Sequence, residues 1–208
     1  YRDEVPAQRV ETGELPDWVM KPFGKPAAGN PVPVAKAAER PAAAVARGTL
    51  IHRILQQICE IDAGSRPAFI SQAVTRAGYG NELADQLTLL IQHDAFAEVF
   101  APEGVSEVPV ILASPDGGQE RRRIDRLVFT DHDLLLIDYK TDRIWPRAPD
   151  DANPAYLEQL ARYRDAMRQI YGSIPMRLAL LWTEAPLLMV IPDDVLDRAA
   201  GQHSVNHS

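Results

Sequence analysis

Residues 121–141 read RRRIDRLVFTDHDLLLIDYKT. Two strand-like runs, RRIDRLVF and LLLIDYK, flank the short polar segment TDHD, the pattern of a hairpin closed by a tight turn. With Asp131 and His132 at the tip, Thr130 lies opposite Asp133, Phe129 opposite Leu134, Leu127 opposite Leu136 and Asp125 opposite Asp138. Side chains alternate along a strand, so these pairs share one face. Directly opposed side chains lie ~5 Å apart, where like charges are destabilising. This register therefore brings two carboxylates together on an apolar surface, and a divalent cation is the simplest group that makes the arrangement favourable. Lys140 falls on the same face, two residues beyond Asp138, while Tyr139 points the other way. A bulge would break the register. The blander reading has Asp138 and Lys140 solvated at a strand end and Asp125 paired with Arg123 or Arg126. Three matched polar residues inside apolar strands weigh against it.

Helices precede and follow this hairpin. Leu50, Ile51, Ile54, Leu55, Ile58 and Ile61 recur at helical spacing from about Ala46. A second helix is expected through PAFISQAVTRAG and a third through NELADQLTLLIQHDAFAEVF, and EVPVILA reads as a strand. After a Pro-rich loop, AYLEQLARYRDAMRQIYG reads as a helix ended by Gly172, and RLALLWTEAPLLMVIP as two strands. The order predicts an α/β fold, a mixed central sheet flanked by helices. Seven of the 17 prolines fall within residues 1–41, in a Pro/Ala-rich stretch of linker composition. Within it, Trp18, Val19, Met20 and Phe23 are apolar enough to dock on a neighbouring surface. The expected layout is a linker at 1–43, one domain at 44–198 and a flexible tail at 199–208.

The 208 residues are 46% hydrophobic and 25% charged, an ordinary globular composition, and the net charge of −7 excludes nucleic-acid binding by bulk electrostatics. Any polyanion would need a local basic patch or a metal. The arginines supply a patch: Arg121, Arg122, Arg123 and Arg126 surround Asp125, and Arg143 and Arg147 follow Lys140. A solvated arginine face is the alternative. One cysteine, Cys59, rules out an internal disulfide framework or a four-cysteine cluster, and its place in LQQICEI suggests core packing. The absence of a long apolar run or signal-peptide pattern gives a cytoplasmic expectation, with no membrane partner. No G-x-x-x-x-G-K-[ST] phosphate loop occurs, and GKP at 24–26 lacks the frame, so no ATPase motor is expected here.

Further candidates lie outside the hairpin. His52, in GTLIHRIL, is off the apolar stripe of its helix, and Gly48 sits one turn before it, where a missing side chain admits another backbone or a phosphate. Glu107 opens the EVPVIL strand. Gln159 and Tyr163 are four apart and share a helical face; they suit holding a phosphate or stacking a base, the alternative being an exposed Gln beside a core-edge Tyr.

Taken together, GTLIHRIL, Glu107, RIDRL, LIDYKT and QLARY resemble, in that order, the motifs of the RecB-like branch of the PD-(D/E)XK nucleases. The nearest likeness is to the C-terminal nuclease domain of AddA-type helicase-nucleases, including an LPDW-type segment upstream; it covers about residues 46–192. The resemblance implies His52, Asp125 and Asp138 as metal ligands, with the Tyr139 backbone carbonyl completing the set. It implies Glu107 acting through water, Lys140 as the catalytic lysine, and Gln159 with Tyr163 as the helical Gln-x-x-x-Tyr motif. Arg122, Arg123, Arg126 and Arg143 are the expected DNA contacts. Arg123 and Ile124 depart mildly from the small residues often found before the first Asp. Hard oxygen ligands with one imidazole suit Mg²⁺, with Mn²⁺ as substitute, better than zinc. The implied activity is exonucleolytic DNA cleavage in double-strand break repair, on the 3′-ended strand. The implied partner is an AddB-type subunit carrying its own nuclease and iron–sulfur cluster, this chain having no such cluster. A stand-alone exonuclease of the same superfamily, or a non-catalytic nuclease-fold guide or scaffold, are the rival readings.

Overall fold

The computed structural model describes residues 42–113 and 118–205. The Pro/Ala-rich segment, with Trp18 to Phe23, lies outside the described residues except for Ala42 and Ala43, which open the first helix. The elements run α1 (Ala42–Ile58), α2 (Arg66–Arg76), α3 (Asn81–Gln92), β1 (Gly104–Ala113), β2 (Gln119–Phe129), β3 (Leu134–Lys140), α4 (Pro154–Tyr171), β4 (Met176–Trp182), β5 (Leu187–Ile191) and α5 (Asp193–Val205). The five strands form one sheet in the order β1-β2-β3-β4-β5. All neighbours are antiparallel except β3 and β4, which are parallel and joined through α4. The chain is thus the expected mixed sheet flanked by helices.

Both faces of the sheet are covered, which is why the central strand reads as a nearly unbroken apolar run. All seven residues of β3 are buried. Leu135, Ile137 and Tyr139 pack under Ile51, Ile54, Leu55 and Leu87 of α1 and α3. Leu134 and Leu136 face the other way, onto Leu160 and Tyr163 of α4 and Leu196 of α5. No helix among the described residues is long and apolar enough to cross a membrane.

The β2–β3 register follows the expectation where the ladder exists: Phe129 pairs with Leu134, Leu127 with Leu136 and Arg126 with Ile137. Its turn is closed by Thr130, whose N–H donates to the Asp133 carbonyl at 3.0 Å and whose hydroxyl donates to Asp133 Oδ1 at 2.6 Å. Arg177 of β4 then clamps both Asp133 carboxylate oxygens and reaches Glu98 at 2.6 Å. Burial raises the Asp133 pKa, but the bonds from Arg177 and Thr130 outweigh it and hold the group below 3.8. A folded value below the unfolded one means stability that is present above the unfolded pKa and lost as pH falls through the folded one. Asp133→Ala is therefore expected to cost about 1–2 kcal/mol at neutral pH. In urea unfolding, its gap from the wild type should narrow once the pH falls below about 3.8; a gap independent of pH would show that the charge contributes nothing.

Several expectations change. β1 starts at Gly104, three residues before Glu107. α1 stops at Ile58, leaving Ile61 in the following turn. The third helix ends at Gln92: His93 is extended and its Nδ1 accepts the Ala95 N–H, so the chain restarts as a short 3₁₀ turn over Asp94–Phe96. α5 runs to Val205, through residues 199–205 of the expected tail, and is tied to α4 by Arg164, which pairs with Asp193 at 2.9 Å and Asp197 at 2.7 Å. Arg126 is not a surface contact for DNA. It is 1% exposed, donating from Nε to Val99 O at 3.0 Å, from Nη1 to Ser106 Oγ at 3.2 Å and from Nη2 to Ala101 O. Gly104 makes room for it, since a Cβ there would lie 2.4–2.7 Å from the guanidinium.

Candidate functional site

At Asp125 the ladder between β2 and β3 ends. The last pair is Arg126 with Ile137, and the Tyr139 N–H is taken instead by the Asp125 side chain, Oδ2 at 2.7 Å. Asp125 therefore fills the gap where two strands part and does not stand opposite Asp138 in a ladder, as the extrapolated register has it. The distortion continues across β2. Ser106 pairs with Arg126 and Val108 with Ile124, and between them Glu107 adopts φ 54°, the only positive φ of a non-glycine among the described residues. Such a conformation costs of order 1–3 kcal/mol and persists where surrounding structure imposes it. The Glu107 carboxylate accepts from Arg123 Nη1 at 3.3 Å.

The hairpin nevertheless brings the predicted residues together. Asp138, 4% exposed, holds Lys140 Nζ on Oδ2 at 2.6 Å and Gln159 Nε2 on Oδ1 at 2.8 Å. Lys140 also donates to Gln159 Oε1 at 3.4 Å, and its Nζ lies 3.7 Å above the Tyr156 ring. The Tyr156 hydroxyl donates to Asp142 at 2.6 Å. Tyr163 is buried, donating to the Arg123 carbonyl at 2.7 Å and accepting from Gln159 at 2.9 Å. Gln159 and Tyr163 thus hold Asp138 and β2 in place, and Tyr163 has no free ring face on which to stack a base. On the other side of the sheet, His52 of α1 lies edge-on to the Tyr139 ring, with Nδ1 3.3 Å from Asp125 Oδ1.

The electrostatics follow from this packing. Burial, reinforced by the Asp125 charge, raises the Asp138 pKa even though Lys140 opposes the shift. Burial works against the charged form of His52, but its hydrogen bond to Asp125 and the charges of Asp125 and Asp138 outweigh it and raise the imidazole above 6.5. Burial pushes Tyr163 up to about 12, so it remains a donor.

A divalent ion fits the chemistry of these groups. Asp125 and His52 meet at the parting of the strands, the buried Asp138 feels the Asp125 charge, and a buried acid pushed towards its neutral form is the condition that a dication reverses. The Tyr139 carbonyl adds a fourth donor. Lys140 O accepts from the N–H of Thr183, just past the end of β4, at 2.9 Å, so by strand alternation the Tyr139 carbonyl points to the Asp125 side. As they stand, no three His, Cys, Asp or Glu among the described residues converge on one ion position: Asp138 is engaged by Lys140 and Gln159, and Asp125 by His52 and Tyr139. Lys140 occupies, as a cation, the place beside Asp138 that an ion would share.

The remaining expectations divide. Gly48 is buried, but what approaches it is neither a backbone nor a phosphate: the Thr141 hydroxyl oxygen would lie 2.8 Å from an added Cβ. Arg122 pairs with Glu120 and Arg123 with Glu107, while Arg143 is exposed after β3. Tyr156 is not among the residues singled out by sequence, although with Gln159 and Tyr163 it makes a helical i, i+3, i+7 stripe on α4 that the sequence displays. Cys59 packs beside the α1 core and donates to Leu55 O at 3.4 Å.

Comparison with known proteins bears on this geometry. Residues 31–189 match the model of the PD-(D/E)XK nuclease superfamily. Over 140 residues the chain is 29% identical to an ATP-dependent helicase/nuclease subunit from Anoxybacillus flavithermus, a match covering 60% of this chain and 12% of that protein. The crystal structure of SSO0001 aligns over 78% of this chain and 87% of that one, at 14% identity and a TM-score of 0.32.

Proposed function

Because the chain belongs to the PD-(D/E)XK nuclease superfamily, we propose that it hydrolyses phosphodiester bonds of DNA with a divalent ion, Mg²⁺ or Mn²⁺ in its place. The observation that carries the reading is the buried Asp138–Lys140 pair beside Asp125, at the point where β2 and β3 separate. The partial match to a helicase/nuclease subunit supports a narrower form, a nuclease module of an AddA-type helicase-nuclease; within that form the proposal is a role in double-strand break repair with an AddB-type partner in the cytoplasm.

In this reading Asp125, Asp138, His52 and the Tyr139 carbonyl hold the ion. When bound, it lowers the pKa of a water nucleophile and neutralises charge that develops on the scissile phosphate. Lys140, paired with Asp138 and aligned by Gln159 and the Tyr156 ring, holds the attacking water and meets the negative oxygens of the transition state. Gln159 ties Asp138 to Lys140, Tyr163 fixes Gln159 against β2, and Glu107 acts through water from its strained position within β1.

The test is digestion of end-labelled single-stranded and duplex DNA at low salt with Mg²⁺, Mn²⁺ or EDTA. Degradation with either metal and none in EDTA is the expected result. Intact DNA under every metal condition would instead favour the non-catalytic scaffold reading.

A further inference from the structure

Packing of the core leaves the polar side of α1 open. The apolar stripe of this helix, Ile51, Ile54, Leu55 and Ile58, is spent on the core. The opposite stripe, Thr49, His52, Arg53 and Gln56, follows the spacing i, i+3, i+4, i+7 and lines one wall of an open groove of about 420 Å³. Glu107 of β1 and Thr141 after β3 line the other wall, and Ala44 and Val45 close one end. His52 belongs both to this groove and to the contact with Asp125, so the groove opens directly onto the candidate metal site.

We propose that this groove is the subsite for a single-stranded DNA backbone next to the scissile bond, with Arg53 as its phosphate contact. The inference rests on the nuclease reading and adds a binding residue to it. Three observations lead here. Of the arginines expected to touch DNA, Arg122 and Arg123 are engaged by Glu120 and Glu107, Arg126 is buried in the core, and Arg143, though exposed, does not line the groove. Arg53, by contrast, is exposed on the groove wall with no hydrogen-bond or ion-pair partner among the described residues. Glu107, the one acidic group that lines the groove among the described residues, already has its charge met by Arg123 at 3.3 Å, so it repels a phosphate less than its sign suggests. Size decides the form of the nucleic acid. From Thr49 to Gln56 the stripe is about 10 Å long at ~1.5 Å per residue, enough for a nucleotide or two of extended strand, whereas a double helix is too wide to enter. Arg53 supplies a fork for phosphate oxygens, and Gln56 stands one turn further along to hydrogen-bond the next one.

Binding of a labelled oligothymidylate to the 208-residue chain in EDTA, where nothing is cut, is measured by anisotropy across a range of NaCl concentrations. Each single-strand phosphate contact contributes about 0.7 to the slope of log K against log salt. Arg53→Ala is expected to reduce the slope by about that amount and to raise Kd about tenfold at low salt. Arg53→Lys restores the slope because it keeps the charge, and Arg76→Ala, an exposed arginine outside the groove, leaves it unchanged. With Mg²⁺ present, the loss in Arg53→Ala appears in KM and not in kcat. An Arg53→Ala variant with wild-type Kd and slope overturns the inference, as does a wild type that fails to bind the oligonucleotide. The two readings fail separately: Arg53-dependent binding with no cleavage under any metal keeps the subsite and sinks the nuclease, whereas metal-dependent cleavage indifferent to Arg53 does the reverse.

Discussion

Lys140→Met is expected to slow DNA cleavage by about a hundred- to a thousandfold, the scale on which one group stabilising transition-state charge is felt, while leaving divalent-ion binding intact. Three features make this lysine hard to replace. Its side chain is only 10% exposed, its Nζ is 2.6 Å from Asp138 Oδ2, and the Tyr156 ring lies 3.7 Å beneath it. Methionine keeps much of the buried volume and removes the charge. Asp138 then loses its compensating cation, and because burial already raises its pKa, it takes up a proton more readily when no ion is bound. A bound dication compensates that carboxylate in the variant, so the ion should bind at least as well as in the wild type, where Lys140 competes for the same oxygen. Single-turnover cleavage and Mn²⁺ titration, run side by side, check both halves. Cleavage at the wild-type rate would remove Lys140 from the chemistry. A joint loss of cleavage and ion binding would mean that it acts only by shaping the site.

A second large effect is expected in stability and not in activity. Arg126→Met should destabilise the fold by about 3–5 kcal/mol, because the carbonyls of Val99 and Ala101 lose their buried donor and each unsatisfied group costs about 1–3 kcal/mol. For a domain of this size that is a large share of a typical 5–15 kcal/mol total and lowers Tm by roughly 10 °C. Denaturant unfolding measures it. A DNA contact would behave in the opposite way, with an unchanged unfolding midpoint and weaker, less salt-sensitive binding. That outcome would restore Arg126 to the surface.

Arg126 shows what the sequence discloses and what it withholds. Its neighbours Ile124, Leu127 and Val128 are apolar and buried, but a long cation among other arginines suggests the surface, and the small residue that makes room for it, Gly104, lies on another strand. Residues 134–140 are legible as a strand because burial on both faces leaves an unbroken apolar run with Asp138 and Lys140 as its exceptions. The hairpin register is legible from the turn, since Thr130 and Asp133 close it locally. It does not extrapolate to Asp125, because the strands part there and a third strand takes part in the distortion through Glu107, whose backbone conformation no local pattern announces. Helix ends are less legible. The break at His93 depends on a side-chain acceptor that hydropathy ignores, while Asp193 and Asp194 after Pro192 form a readable helix start just before the place where a tail is expected. Of the candidate site, the members on one strand or one helix face are visible in sequence. Tyr156 beneath Lys140 and Thr141 against Gly48 depend on elements meeting in space.

Ion binding by Asp125 is what the whole reading depends on, and calorimetric titration of Mn²⁺ into the wild type and Asp125→Asn measures it. Asparagine keeps an oxygen to accept the Tyr139 N–H and removes only the charge, so the two proteins should melt within a few degrees of each other. A saturable heat in the wild type that is absent from Asp125→Asn is the predicted result. No saturable heat in the wild type, or the same isotherm in both proteins, would contradict a divalent ion held where β2 and β3 part.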